Sequence, residues 1–120
     1  IIDQMVSLYK KRIPFLKGAI EAVHLVAKRY PLGLASGSPR RLINTVTSHP
    51  DLKNRFQVII SSDQVAQGKP APDVYLRAAA TLGADPHNCV CLEDSGNGIQ
   101  AGKNAGMKLI AVPDARFHRR

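Results

Sequence analysis

One nine-residue stretch, Cys91-Leu92-Glu93-Asp94-Ser95-Gly96-Asn97-Gly98-Ile99, constrains the fold of this chain more than any other. The short apolar run 88–92 stops at two adjacent carboxylates. A Ser/Gly/Asn turn then leads at once into a helical pattern. In an α/β sheet that order places Glu93 and Asp94 just beyond the carboxyl end of a buried strand, where such folds bind ligands. Two carboxylates on the buried side, with no basic neighbour in the sequence, are costly unless a cation sits between them. Oxygen donors alone at an open edge suit Mg²⁺, which takes one or two carboxylates and completes its shell with water and phosphate oxygens. The competing reading is a solvated pair in which Asp94 caps the next helix.

The same strand-then-helix alternation repeats along the chain. Residues 3–12 read as the end of a helix and 14–18 as a connector. A helix over 19–30 presents Ile20, Val23, Val26, Ala27 and Tyr30 on one face. Residues 32–35 form a short strand, followed by the turn Ser36-Gly37-Ser38. Ser38 is placed to cap a helix with Pro39 at its first position and Leu42, Ile43 and Val46 turned inward. A second strand spans 56–60 and a loop spans 61–70. The helix opened by Pro72 carries Tyr75, Ala78, Ala79 and Leu82 at i, i+3, i+4, i+7, and Gly83 stops it. Strand 89–92, helix 99–105 and strand 108–112 complete the pattern. Strands alternating with helices imply βαβ units and a parallel sheet.

Composition narrows the function. With 120 residues, 44% of them hydrophobic, the chain suits one domain or a piece of one. No apolar run is long enough for a membrane span and no signal peptide is visible. The net charge of +8 attracts anions, but its basic clusters, Lys10-Lys11-Arg12, Arg40-Arg41 and Arg119-Arg120, are scattered and read as solvated faces. No aromatic residues interleave with them, so neither a nucleic-acid nor a membrane partner is expected. Cys89 and Cys91, at i, i+2, would share one strand face and serve packing. This usage fits a reducing, cytoplasmic compartment. His24, His49, His87 and His118 do not follow strands, so no Ser-His-Asp arrangement is expected.

Two further strand-end elements carry candidate chemistry. Ser36-Gly37-Ser38 offers a hydroxyl and turn amides to an anion, or merely a cap. Lys69, in Gly68-Lys69-Pro70-Ala71-Pro72-Asp73, is stiffened by two prolines and reads either as a fixed positive charge or as an ordinary loop lysine. Asp73 complements the dipole of its helix and reads as structural.

Taken in order, 34–38, 68–73 and 92–99, together with Ala105-Gly106-Met107, resemble the haloacid dehalogenase-like hydrolase superfamily, in its β-phosphoglucomutase-like and phosphatase-like branch. The resemblance implies a Rossmann-like parallel sheet with flanking helices. It also implies a Mg²⁺-dependent phosphatase of a small phosphorylated metabolite, acting through an aspartyl-phosphate, with a phosphomutase as the alternative. By the same resemblance Ser36 and the Gly37 amide would bind the phosphoryl group and Lys69 would neutralise it. Glu93 and Asp94 would hold Mg²⁺, and Arg40 would face substrate. The family's Asp-x-Asp-x-Thr nucleophile motif occurs nowhere in the 120 residues. Residues 1–12 are therefore expected to be the end of a helical cap domain and 13–120 a partial core. That core lacks the central first strand, which would lie between the strand ending at Ser36 and the strand ending at Leu92. The two strand pairs should then face each other across a gap, in a fragment that is inactive alone; a catalytically inactive pseudoenzyme is the other reading.

Overall fold

A computed structural model describes residues 2–11 and 18–112. The expected connector and the basic carboxyl end lie outside the described residues. The chain alternates as expected: α1 (Ile2–Lys11), α2 (Ala19–Ala27), β1 (Gly33–Ser36), α3 (Arg40–Thr47), β2 (Val58–Ser61), α4 (Asp73–Leu82), β3 (Val90–Glu93), α5 (Gly96–Asn104) and β4 (Lys108–Ala111). Short 3₁₀ turns at Ser62–Gln64 and Pro86–Asn88 precede α4 and β3.

The strands form two separate parallel pairs. β1 lies on β2, with Gly33 beside Val58 and Ser36 beside Ser61. β3 lies on β4, with Val90 beside Lys108 and Glu93 beside Ala111. No ladder joins β1 to β3 among the described residues. One edge of each strand therefore has no neighbour in a sheet, the arrangement expected for a sheet without its central member. Parallel strands are ordinarily buried and paired on both sides.

Helix α4 holds the two pairs together. Its Val74, Tyr75, Ala78 and Ala79 are buried, at the spacing the sequence shows. Val74, Tyr75 and Ala78 join Val58 and Ile60 of β2, Cys91 of β3, and Ala101 and Ala105 on and just beyond α5 in one core. Gly83 ends α4 with φ 72°, a left-handed conformation that costs glycine nothing.

Several expected boundaries move. Helix α2 stops at Ala27, three residues early, and buries none of its residues. Val26 and Tyr30, expected inward, are exposed. Apolar periodicity shows that a face exists but not that something covers it. Pro39, not Ser38, holds the N-cap position of α3, and Ser38 makes no cap. Helix α5 starts three residues before Ile99, because the Ser95 hydroxyl accepts the Gly98 N–H at 3.0 Å and nucleates the turn. Strand β3 runs one residue later than expected. Glu93 thus becomes its last residue, on the same buried face as Cys91, while Cys89 lies outside the strand.

Unpaired strand edges leave backbone groups without protein partners. The 120-residue chain, expressed alone, is therefore expected to unfold at low urea with a broad transition. Circular dichroism against urea checks this. A sharp two-state transition with stability in the ordinary range of about 5–15 kcal/mol would contradict it.

Candidate active site

Three strand ends converge. β1 delivers Ser36 and the turn after it, β2 delivers Ser61, and β3 delivers Glu93 followed by Asp94. The turn after β1 is tied to the end of β2. Ser61, fully buried, donates its hydroxyl to the Ser38 carbonyl at 2.8 Å, and Ser62 donates to the Gly37 carbonyl at 2.8 Å. The Ser36 hydroxyl accepts the Ser38 N–H at 3.1 Å, which closes the turn on itself. Asp63 accepts the Arg40 backbone N–H at 3.0 Å, putting a carboxylate at the first turn of α3.

Lys69 is not an ordinary loop lysine. Its ammonium is largely buried, donates to the Ala35 carbonyl of β1 at 3.2 Å and pairs with the Glu93 carboxylate of β3. It therefore spans the space between the two strand pairs. The loop that carries it is fastened at both sides. The Asn104 amide donates to the Pro70 carbonyl at 3.1 Å, and the Gln67 N–H donates to Asp73 at 3.2 Å, which confirms Asp73 in a structural place.

Glu93 is 8% exposed. The cation it needs, for which the sequence shows no basic neighbour, comes from 24 residues away as the Lys69 ammonium. Its Oε2 accepts from both Lys69 and the Tyr75 hydroxyl. Burial pushes the Glu93 carboxyl up, but the Lys69 and Tyr75 hydrogen bonds and the ammonium charge outweigh it. The net shift is below the ordinary value of 4.5. Gly98 makes room for this side chain: a Cβ there would stand 1.9 Å from Glu93 Oε1. Only glycine lets the first turn of α5 approach so closely.

Asp94 is exposed, and among the described residues no cation is paired with it. No group of three potential metal ligands occurs among the described residues. A pair of hard oxygen donors at a strand end fits Mg²⁺, which fills its remaining positions from water and phosphate. Asp94 has its carboxylate available for that role, whereas one oxygen of Glu93 is already committed to Lys69 and Tyr75.

The structure thus brings Ser36, Gly37, Lys69 and Glu93-Asp94 together at the carboxyl ends of β1 and β3. It does not bring Arg40 with them. The Arg40 guanidinium donates to the Ile59 carbonyl at 2.7 Å, to Gln64 Oε1 at 2.8 Å and to Asn44 Oδ1 at 2.9 Å, which bolts α3 to β2 and the turn after it. Sequence reasoning missed Ser61, which stands at its strand end as Ser36 does. It also read Tyr75 only as core, because helical spacing shows burial but not what a hydroxyl touches.

Comparisons with known proteins place this fold in a family. The profile of haloacid dehalogenase-like hydrolases matches residues 3–106. A β-phosphoglucomutase structure from Clostridium difficile superposes with a TM-score of 0.79 at 30% identity, over 92% of this chain and 50% of that one. Crystalline CbbY from Rhodobacter sphaeroides, in complex with phosphate, superposes with a TM-score of 0.79 at 28% identity, over 98% of this chain and 56% of that one. An α/β hydrolase core of this kind belongs to a defined group. The chain is a member of the haloacid dehalogenase-like hydrolase family. Among relatives of known activity, hexitol phosphatase B of Escherichia coli (strain K12) is 43% identical over 114 residues. The bifunctional riboflavin kinase/FMN phosphatase of Arabidopsis thaliana is 44% identical over 109 residues. The chain spans 51% of the first and 29% of the second.

Three outcomes follow for the full-length protein. Gly98→Ala should displace the Glu93 carboxylate and cost about 2 kcal/mol in thermal unfolding. Lys69→Met leaves Glu93 buried and without its cation and should cost about 3 kcal/mol. Because the folded Glu93 pKa is depressed, the stability it adds is complete above about pH 4.5 and is lost as pH falls through the folded value. Urea midpoints at pH 7 and pH 4 should therefore converge for wild type and Lys69→Met as pH falls.

Proposed function

We propose that the full-length protein is a Mg²⁺-dependent phosphatase of a small phosphorylated metabolite, most simply a sugar phosphate, working through an aspartyl-phosphate. The observation that carries the reading is the Lys69 ammonium, held between the carboxyl ends of β1 and β3 by Ala35 and Glu93. Phosphoryl transfer asks a protein mainly to place positive charge and hydrogen-bond donors around the transferring group. Lys69 supplies the charge. The Ser36 hydroxyl and the Gly37 N–H supply donors on the other side. Asp94, with Glu93, would hold Mg²⁺, which when bound neutralises phosphate oxygens as a Lewis acid. No Asp-x-Asp occurs in these 120 residues, so this reading requires the full-length protein to supply the nucleophilic carboxylate from such a motif. Attack on phosphorus releases the sugar alcohol, and water then cleaves the acyl-phosphate to give inorganic phosphate.

The phosphatase relatives support this reading, hexitol phosphatase B among them. The likeness to a β-phosphoglucomutase structure favours a second one, a phosphomutase.

The test is the full-length protein with a panel of sugar phosphates. Phosphate release should require Mg²⁺, vanish with a chelator and return on adding the metal. Asp94→Asn should lower activity at limiting Mg²⁺ by about a hundredfold. Conversion of a hexose 1-phosphate to an isomer, without free phosphate, would establish the mutase. No phosphate chemistry under any condition would discard both.

A further inference from the structure

Tyr75 sits on α4, a helix whose sequence pattern assigns it only to packing, yet its hydroxyl reaches the charged cluster. Its hydroxyl donates to Glu93 Oε2, the oxygen that also receives Lys69. The face of its ring lies under the Lys69 ammonium, 4.9 Å from Nζ to the centroid. The residue is 8% exposed, so neither contact competes with bulk water. One side chain thus touches both members of the ion pair, through a charge-assisted hydrogen bond on one and a cation–π contact on the other.

We infer that Tyr75 is a positioning residue that fixes where the Lys69 ammonium stands between β1 and β3. The inference rests on the phosphatase reading for its catalytic consequence, but not for its structural one. A lysine has a long, flexible stem, and a single carboxylate partner leaves it free to swing around that carboxylate. The hydroxyl removes one lone pair of Oε2 from the lysine's reach and holds the carboxylate plane. Gly98 closes the far side, where Oε1 presses against the backbone of α5. The ring then forms the floor on which the ammonium rests. The remaining direction for its free N–H points toward the Ala35 carbonyl, which it meets at 3.2 Å. Tyr75 need not touch substrate for this. It acts through Lys69 and Glu93.

The test uses the full-length protein and Tyr75→Phe, which keeps the ring and deletes the hydroxyl. The first readout is independent of activity. In ¹⁵N-lysine spectra the Lys69 ammonium, assigned by its loss in Lys69→Met, should be protected from solvent exchange in the wild type. It should exchange at least about tenfold faster in Tyr75→Phe. The second readout is kinetic: kcat should fall by about tenfold with KM unchanged, since a displaced charge is felt where charge develops. Lys69 protection lost while the wild type hydrolyses no phosphate ester would uphold the positioning role and reject the phosphatase reading. Lys69 exchange identical in wild type and Tyr75→Phe would overturn the inference whatever the activity. Should the variant fail to fold, the unaltered protein decides the question. A Tyr75 hydroxyl proton exchanging at the free-solvent rate overturns the inference, and a protected one supports it.

Discussion

The ion pair between Lys69 and Glu93 is the contact on which the arrangement of the strand ends depends. The two parallel ladders share no hydrogen bond with each other among the described residues. They are connected by α4 packing beneath them and by one ammonium that reaches a carbonyl of β1 and a carboxylate of β3. A charge in that place is expensive to bury, and the pair persists because each member has hydrogen-bond partners besides the other. Glu93 accepts from Lys69 and Tyr75, and no buried side-chain polar atom among the described residues lacks a partner.

Around this pair the chain divides its polar residues between scaffold and site. Ser61, Ser62, Asp63 and Arg40 all serve to lock the turn after β1 against the end of β2. Their hydrogen bonds are satisfied within the protein, so the backbone groups of the turn are held in one arrangement. Asp94 is the contrasting case. It stands exposed next to a buried carboxylate held by Lys69 and Tyr75, so two adjacent acids meet opposite surroundings.

The surfaces show the same division between what is complete and what is open. One face of the β3–β4 pair packs on α5 through Cys91 and Leu109, while Val90, Leu92, Ile110 and Val112 on the other face remain exposed. Helix α2 is apolar and buries nothing. Parallel sheets are ordinarily covered on both faces. The open face and the unpaired strand edges occur in a chain that spans about half the length of hexitol phosphatase B.

Much of this was legible in the residues. Short apolar runs ending in Ser36, Glu93 and Asp94, and helices with i, i+3, i+4 faces, define the alternation of strands and helices. Local chemistry alone dictates them: strand period, turn residues and caps act within a few residues. The placing of Lys69 beside Glu93, the bonds by which the Arg40 guanidinium bolts α3 to β2, and the reach of Tyr75 into the site were not legible. Each joins residues 18 to 34 positions apart, or depends on which way a long side chain turns. The sequence by itself determined an α/β chain with carboxylates and hydroxyls at its strand ends. Only the tertiary structure decided which cation balances Glu93, because that choice is made by distance in space and by the cost of leaving a buried charge alone.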